Sequence, residues 1–151
     1  MTDLHCHILP AIDDGAKNAK VSMELLRMQN DAGITDIVCT PHFNPDSQNL
    51  EDFIDKRYRS ARYLADYVFR SELPVRLKFG AEVRISPTIL DLDFLPLCFQ
   101  KTKVMLLEMP RTLRPQWDTN VIYQLTLGGV IPLIAHIERY PYVQKNPNIA
   151  L

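Results

Sequence analysis

The chain has 151 residues, of which 46% are hydrophobic and 23% charged, and 17 Lys+Arg face 18 Asp+Glu for a net charge of -1. That is enough chain for one ordinary domain with a core, and the even charge offers no basic stripe to a nucleic-acid backbone. No apolar run approaches the roughly 20 residues of a membrane span, the opening Met1-Thr2-Asp3-Leu4-His5 has no secretory pattern, and Cys6, Cys39 and Cys98 suit a reducing cytoplasm better than a disulfide scaffold.

Taken in chain order, residues 2–7 read as a strand that runs into the polar turn Asp13-Asp14-Gly15. Val21, Leu25 and Met28 fall at i, i+4 and i+7, an amphipathic helix that Gly33 can end. Residues 35–40 form a second strand, followed by the loop Asn44-Pro45-Asp46-Ser47. A long helix is expected from Glu51 to Arg70, with Phe53, Ile54, Tyr58, Ala61, Leu64, Ala65 and Val68 as its apolar stripe. Residues 75–83 and 104–107 give a third and a fourth strand; a helix over 118–127 leads through Gly128-Gly129 into a fifth at 130–135. Nearly continuous apolar runs alternating with helices indicate an α/β fold with a buried parallel sheet, open or closed into a barrel.

Each of these strands ends in residues that can hold a metal. The first carries His5 and His7, which share a face because side chains alternate along a strand. Next come His42 in Thr40-Pro41-His42, Glu82 in Gly80-Ala81-Glu82, Glu108, and His136; Asp14 lies in the turn after the first strand. In parallel α/β folds the carboxyl ends of the strands share one rim, where active sites assemble. Imidazoles mixed with carboxylates suit Mn²⁺, Fe²⁺ or Zn²⁺ in a multinuclear site. Bridged ions of that kind serve in-line attack on a phosphate ester by a hydroxide, and Arg139, three residues past His136, is placed to hold the phosphate. Other phosphate chemistries lack their residues. Cys6, Cys39 and Cys98 are followed six positions later by Ile12, Pro45 and Val104, so no cysteine–arginine loop exists, and with five glycines neither a phosphate-cradling glycine loop nor a G-x-S-x-G elbow can be written.

The runs Asp3-Leu4-His5-Cys6-His7-Ile8-Leu9-Pro10, Asp13-Asp14-Gly15, Thr40-Pro41-His42, Gly80-Ala81-Glu82, Leu107-Glu108 and Ala135-His136-Ile137-Glu138-Arg139-Tyr140 resemble the polymerase-and-histidinol-phosphatase (PHP) superfamily. Within it they are most similar to the bacterial manganese-dependent protein-tyrosine phosphatases of capsular and exopolysaccharide biosynthesis. The resemblance implies a distorted (β/α)7 barrel and a trinuclear manganese site. His5, His7 and Glu82 would hold one ion; Glu82 would bridge to a second held by Glu108 and His136; Asp14 and His42 would hold the third. Arg139 would bind the phosphate of phosphotyrosine, and the implied partner is a tyrosine-phosphorylated bacterial kinase or its tail.

Two departures from that pattern stand out. Ala11 occupies a position where the family often has glycine, and the family's late Asp-x-His motif, which supplies two further ligands, does not occur after His136. Family members run to about 250 residues, a barrel's length, so residues 1–151 are expected to be the N-terminal part of one such domain, about five strand-helix units. A chain of that extent is expected to be a weak or inactive enzyme on its own, and an open sheet edge would favour self-association. The competing readings are a histidinol-phosphate-type phosphatase of small molecules and a non-catalytic fragment.

Overall fold

The computed structural model describes residues 1–150, without the side chains of Ile149 and Ala150. The elements are β1 (Thr2–Cys6), α1 (Ala19–Asp31), β2 (Asp36–Cys39), β3 (His42–Phe43), α2 (Leu50–Ser71), β4 (Arg76–Phe79), β5 (Glu82–Arg84), β6 (Val104–Glu108), α3 (Asp118–Leu127), β7 (Ile131–Ile134) and α4 (Pro141–Lys145), with 3-10 turns at Pro87–Asp91, Leu95–Leu97, Ile137–Arg139 and Pro147–Ala150.

Asn18 and Asn49 cap the first two helices by accepting from the Val21 and Asp52 amides. Gly33, at φ 80, closes α1 as expected, with its amide on the Asn30 carbonyl and that of Ile34 on Gln29. The buried face of α1 is not the expected one. Ala19, Ser22, Met23 and Leu26 face the core, while Leu25 and Met28 are 38% and 67% exposed. The helix is turned by its polar residues: Gln29 Nε2 donates to Asp3 Oδ2 in β1 at 2.7 Å, which points the 22–26–29 side at the sheet, and the buried Ser22 hydroxyl is satisfied by the Asn18 carbonyl.

Every strand pairing is parallel, in two sets ordered β1-β2-β4 and β3-β5-β6-β7. The second expected strand, 35–40, is followed by a further short strand that was not expected, and the third, 75–83, is broken in two. β2 becomes β3 across Thr40-Pro41, and β4 becomes β5 across Gly80-Ala81. Pro41 has no amide to give to a ladder, and a Cβ on Gly80 would lie 2.7 Å from Phe99 Cδ1. Both strands jog together, because Cys39 pairs with Phe79 and His42 with Glu82, three residues on in each. The Gly80 and Glu82 amides bridge the jog to the Cys39 and Pro41 carbonyls at 3.0 Å. Joined through these jogs, the strands lie side by side in the order in which the chain makes them.

The main core lies between the sheet and the helices, where Leu26, Ile37, Cys39, Leu64, Val83, Met105, Leu107 and Leu125 are buried. Val38, Phe99, Leu106 and Ala135 form a smaller cluster. Leu4 in β1 and Ile131 and Leu133 in β7, the strands at the two ends of the series, remain 46%, 60% and 37% exposed. No helix is long and apolar enough to cross a membrane among the described residues.

Candidate metal centre

All four histidines of the chain converge on one buried carboxylate. Glu82 is 1% exposed; its Oε2 lies 3.0 Å from His5 Nε2, 3.0 Å from His7 Nε2 and 3.3 Å from His42 Nδ1, and its Oε1 lies 2.8 Å from His136 Nε2. His5 and His7 bring their Nε2 atoms to 3.3 Å of one another. The strand alternation that puts both on one face is assisted by an irregularity: Asp3 pairs with Ile37 but Cys6 with Cys39, so β1 holds an extra residue there. Bulges of this kind re-aim side chains beside sites.

His42 and Glu82 do not end their strands, as the sequence suggested, but open β3 and β5 immediately after the jog. The register places them side by side. Glu108 ends β6, with Oε1 3.8 Å from His136 Nε2 and 3.7 Å from Arg111. Asp14 is the outlying member, 84% exposed in its side chain, with Oδ1 3.6 Å from His42 Nε2. His136 sits in the left-handed region at φ 33 and ψ 49, a strained backbone of the sort found at functional positions, and its Nδ1 is buried with no hydrogen-bond partner among the described residues.

Three triads bring ligand atoms within 4.8 Å of one another: His5 with His7 and Glu82; His7 with Asp14 and His42; His42 with Glu82 and Glu108. The first brings together the three residues that the resemblance groups around one ion. The second adds His7 to the expected Asp14–His42 pair, and in the third His42 stands where His136 was expected. The donor set passes a test of spacing: atoms each about 2.1 Å from one ion stand about 3.0–3.4 Å apart at right-angled to tetrahedral geometry, which covers the triangle of the His5, His7 and Glu82 atoms. Arg139 lines the same cavity of about 610 Å³, its side chain 66% exposed and 3.6 Å from Glu138.

Several residues of the site were not singled out by the sequence reading. Asp13 Oδ2 holds His7 Nδ1 at 2.8 Å and also accepts from the His42 amide at 3.0 Å, fixing two imidazoles at once. Asp13 adjoins the expected ligand Asp14 in the Asp-Asp doublet, and was itself read only as part of the turn. Gly15 packs so closely under His7 that a Cβ would lie 2.1 Å from the His7 carbonyl oxygen. Ala11 adopts φ 55, the conformation glycine favours, and its amide bonds to the Ala16 carbonyl to close the loop.

A family model described as capsular polysaccharide synthesis, CpsB/CapC, matches residues 1–150. The tyrosine-protein phosphatase YwqE of Bacillus subtilis is 34% identical over 99% of the chain and 59% of its own length. The tyrosine-protein phosphatase CpsB of Streptococcus agalactiae is 27% identical over 93% of the chain and 58% of its own. A solved chain from the crystal structures of YwqE from B. subtilis and CpsB from Streptococcus pneumoniae, described there as unique metal-dependent tyrosine phosphatases, superposes with a TM-score of 0.86 at 34% identity, over 99% of the chain and 60% of that one. The chain thus spans about three fifths of the relatives it matches.

Proposed function

The chain belongs to the CpsB/CapC family of capsular polysaccharide synthesis, and from that membership we propose that it carries the metal-binding part of a protein-tyrosine phosphatase with a PHP-type barrel. The observation that carries the reading is the triangle of His5 Nε2, His7 Nε2 and Glu82 Oε2 at 3.0–3.3 Å. The chain-ordered parallel strands support the barrel, since a (β/α) barrel winds each new strand beside the last.

In this reading His5, His7, Asp14, His42, Glu82, Glu108 and His136 hold two or three divalent ions, with Mn²⁺ the first choice and Fe²⁺ or Zn²⁺ compatible with the same donors. Bound there, such ions supply Lewis acidity toward phosphoryl oxygens and activate water near neutral pH. Asp13 fixes the His7 ring and the His42 backbone. Arg139, exposed on the cavity wall, binds the phosphate of a phosphotyrosyl protein, and a fork of donors matches its oxygens. The substrate would be a tyrosine-phosphorylated kinase governing polysaccharide export, and free Cys6, Cys39 and Cys98 suit the cytoplasm where that kinase is phosphorylated.

The test is phosphate release from a phosphotyrosyl peptide and from histidinol phosphate, with Mn²⁺ and after EDTA, alongside metal content by mass spectrometry. Expected are metal content that Glu82→Gln loses and a turnover that is weak at most, prefers the peptide, and is abolished by EDTA and by Glu82→Gln. Turnover that survives EDTA or Glu82→Gln overturns the metal mechanism, and preference for histidinol phosphate overturns the substrate.

A further inference from the structure

Beside the metal cavity lies a second one of about 400 Å³, and His42 and Arg111 line both. Its walls present cations and donors. Arg84 is exposed and makes no ion pair among the described residues; Arg111, 70% exposed, reaches only Glu108, at 3.7 Å. Gln48 and Asn44 have turned their side-chain oxygens to backbone amides, Gln48 Oε1 to Asn44 and Asn44 Oδ1 to Asp46, which leaves their NH₂ groups as donors. Two acids are near. Asp46 is occupied by the hydroxyls of Ser86 and Thr88 and also lies in the field of Arg84, without an ion pair between them, and Glu108 belongs to the candidate metal site.

Arg84 also stands at a telling distance. It follows Glu82 by two residues on β5 and so lies on the same face of the strand, about 7 Å further along. Two residues of an extended substrate span the same length. A peptide with its phosphotyrosine at the metal cavity therefore carries a side chain up to two residues away into reach of Arg84 and Arg111.

Resting on the phosphatase reading above, we propose that Arg84 and Arg111 form an anion subsite that selects peptides with an acidic side chain within two residues of the phosphotyrosine. The ligand chemistry is an oxyanion, either a carboxylate or a second phosphorylated side chain. Each carboxylate contact on exposed arginines is expected to tighten binding by about fivefold at low salt, and less as ionic strength rises.

The experiment uses fluorescein-labelled phosphotyrosyl peptides in which one Glu, Gln, Lys or phosphoserine is walked from two residues before to two residues after the phosphotyrosine. Anisotropy gives the Glu-to-Gln affinity ratio on the Mn²⁺-treated chain, and is read without Mn²⁺ as well. One position should favour Glu over Gln by about fivefold, the ratio should fall to about one in Arg84→Gln/Arg111→Gln, and Arg111→Glu should favour Lys there instead. Phosphoserine exceeding Glu at that position assigns the subsite to phosphate, whereas Glu equal to phosphoserine assigns it to carboxylate. Equal Glu and Gln affinities at every position, or a ratio unchanged in the double variant, overturns the subsite. If the phosphotyrosyl peptide still binds in a Mn²⁺-dependent way in that case, the phosphatase reading survives; if Mn²⁺ brings no peptide binding at all, that reading falls and the subsite with it.

Discussion

Burial of the His7 imidazole favours its neutral form, yet hydrogen bonds and charge from Asp13 and Glu82 outweigh burial and push its pKa up to about 10. Burial likewise opposes ionisation of Glu82, but contacts with His5 and His7 hold its carboxyl far below the usual range. An unfolded histidine titrates near 6.5, so in metal-free protein the His7 pairing stabilises the fold in full below that pH and is lost as pH climbs through about 10. The melting temperature of metal-free protein should accordingly fall from pH 7 to about pH 10, and less so in His7→Gln. An ion must displace that proton, so Mn²⁺ affinity measured by calorimetry should rise about tenfold per pH unit for each proton released; a flat profile would remove His7 from the ligand set. Gly15 gives a steric test of the same residue. Gly15→Ala drives a methyl into the His7 backbone and should lower urea stability by about 1–3 kcal/mol, with a loss of metal affinity that a remote core variant of equal stability does not share.

At the next scale, α2 braces the site although none of its residues enters it. Lys56 Nζ and the Ser60 hydroxyl donate to the Ile12 and Pro10 carbonyls at 2.8 Å, tying down the approach to Asp13 and Asp14. Arg57 donates to the Gly80 carbonyl at 2.7 Å and to that of Pro96 at 2.8 Å, clamping the jog before Glu82. Arg57→Met leaves the buried-side carbonyl of Gly80 without its donor and should reduce stability by about 1–3 kcal/mol; a metal affinity weakened alongside it, read by calorimetry, distinguishes a brace from a surface arginine. These polar tethers explain what was and was not legible in the sequence. Helix limits at 118–127 and near 51–70 followed from apolar spacing and turn residues, and the donors His5, His7, His42, Glu82 and His136 that the structure gathers were visible as residue types at the ends of apolar runs. The rotation of α1 was not, because Gln29 reaching Asp3 outweighed the Leu25–Met28 stripe. Nor was the short strand β3 past Pro41, or the break at Gly80 inside the expected strand 75–83, where the ladder changes partners.

At the scale of the molecule, β1 and β7 are the outer strands among the described residues, each with exposed apolar side chains. Unpaired apolar edges invite pairing between copies, so sedimentation velocity should show mass rising with concentration, and Ile131→Lys should reduce it; a monomer at every concentration would refute this. The strand order carries a further consequence, one of timing during synthesis. Because each strand, with β2–β3 and β4–β5 counted as single jogged strands, lies beside the one made just before it, every pairing closes over a limited stretch of chain, and none must wait for a distant partner. The donors emerge from the ribosome in that sequence: His5 and His7, then His42, then Glu82, with Glu108 and His136 last. A nascent chain therefore holds its tightest triad before β6 has been translated, and an ion captured then would act as a template on which the remaining strands dock.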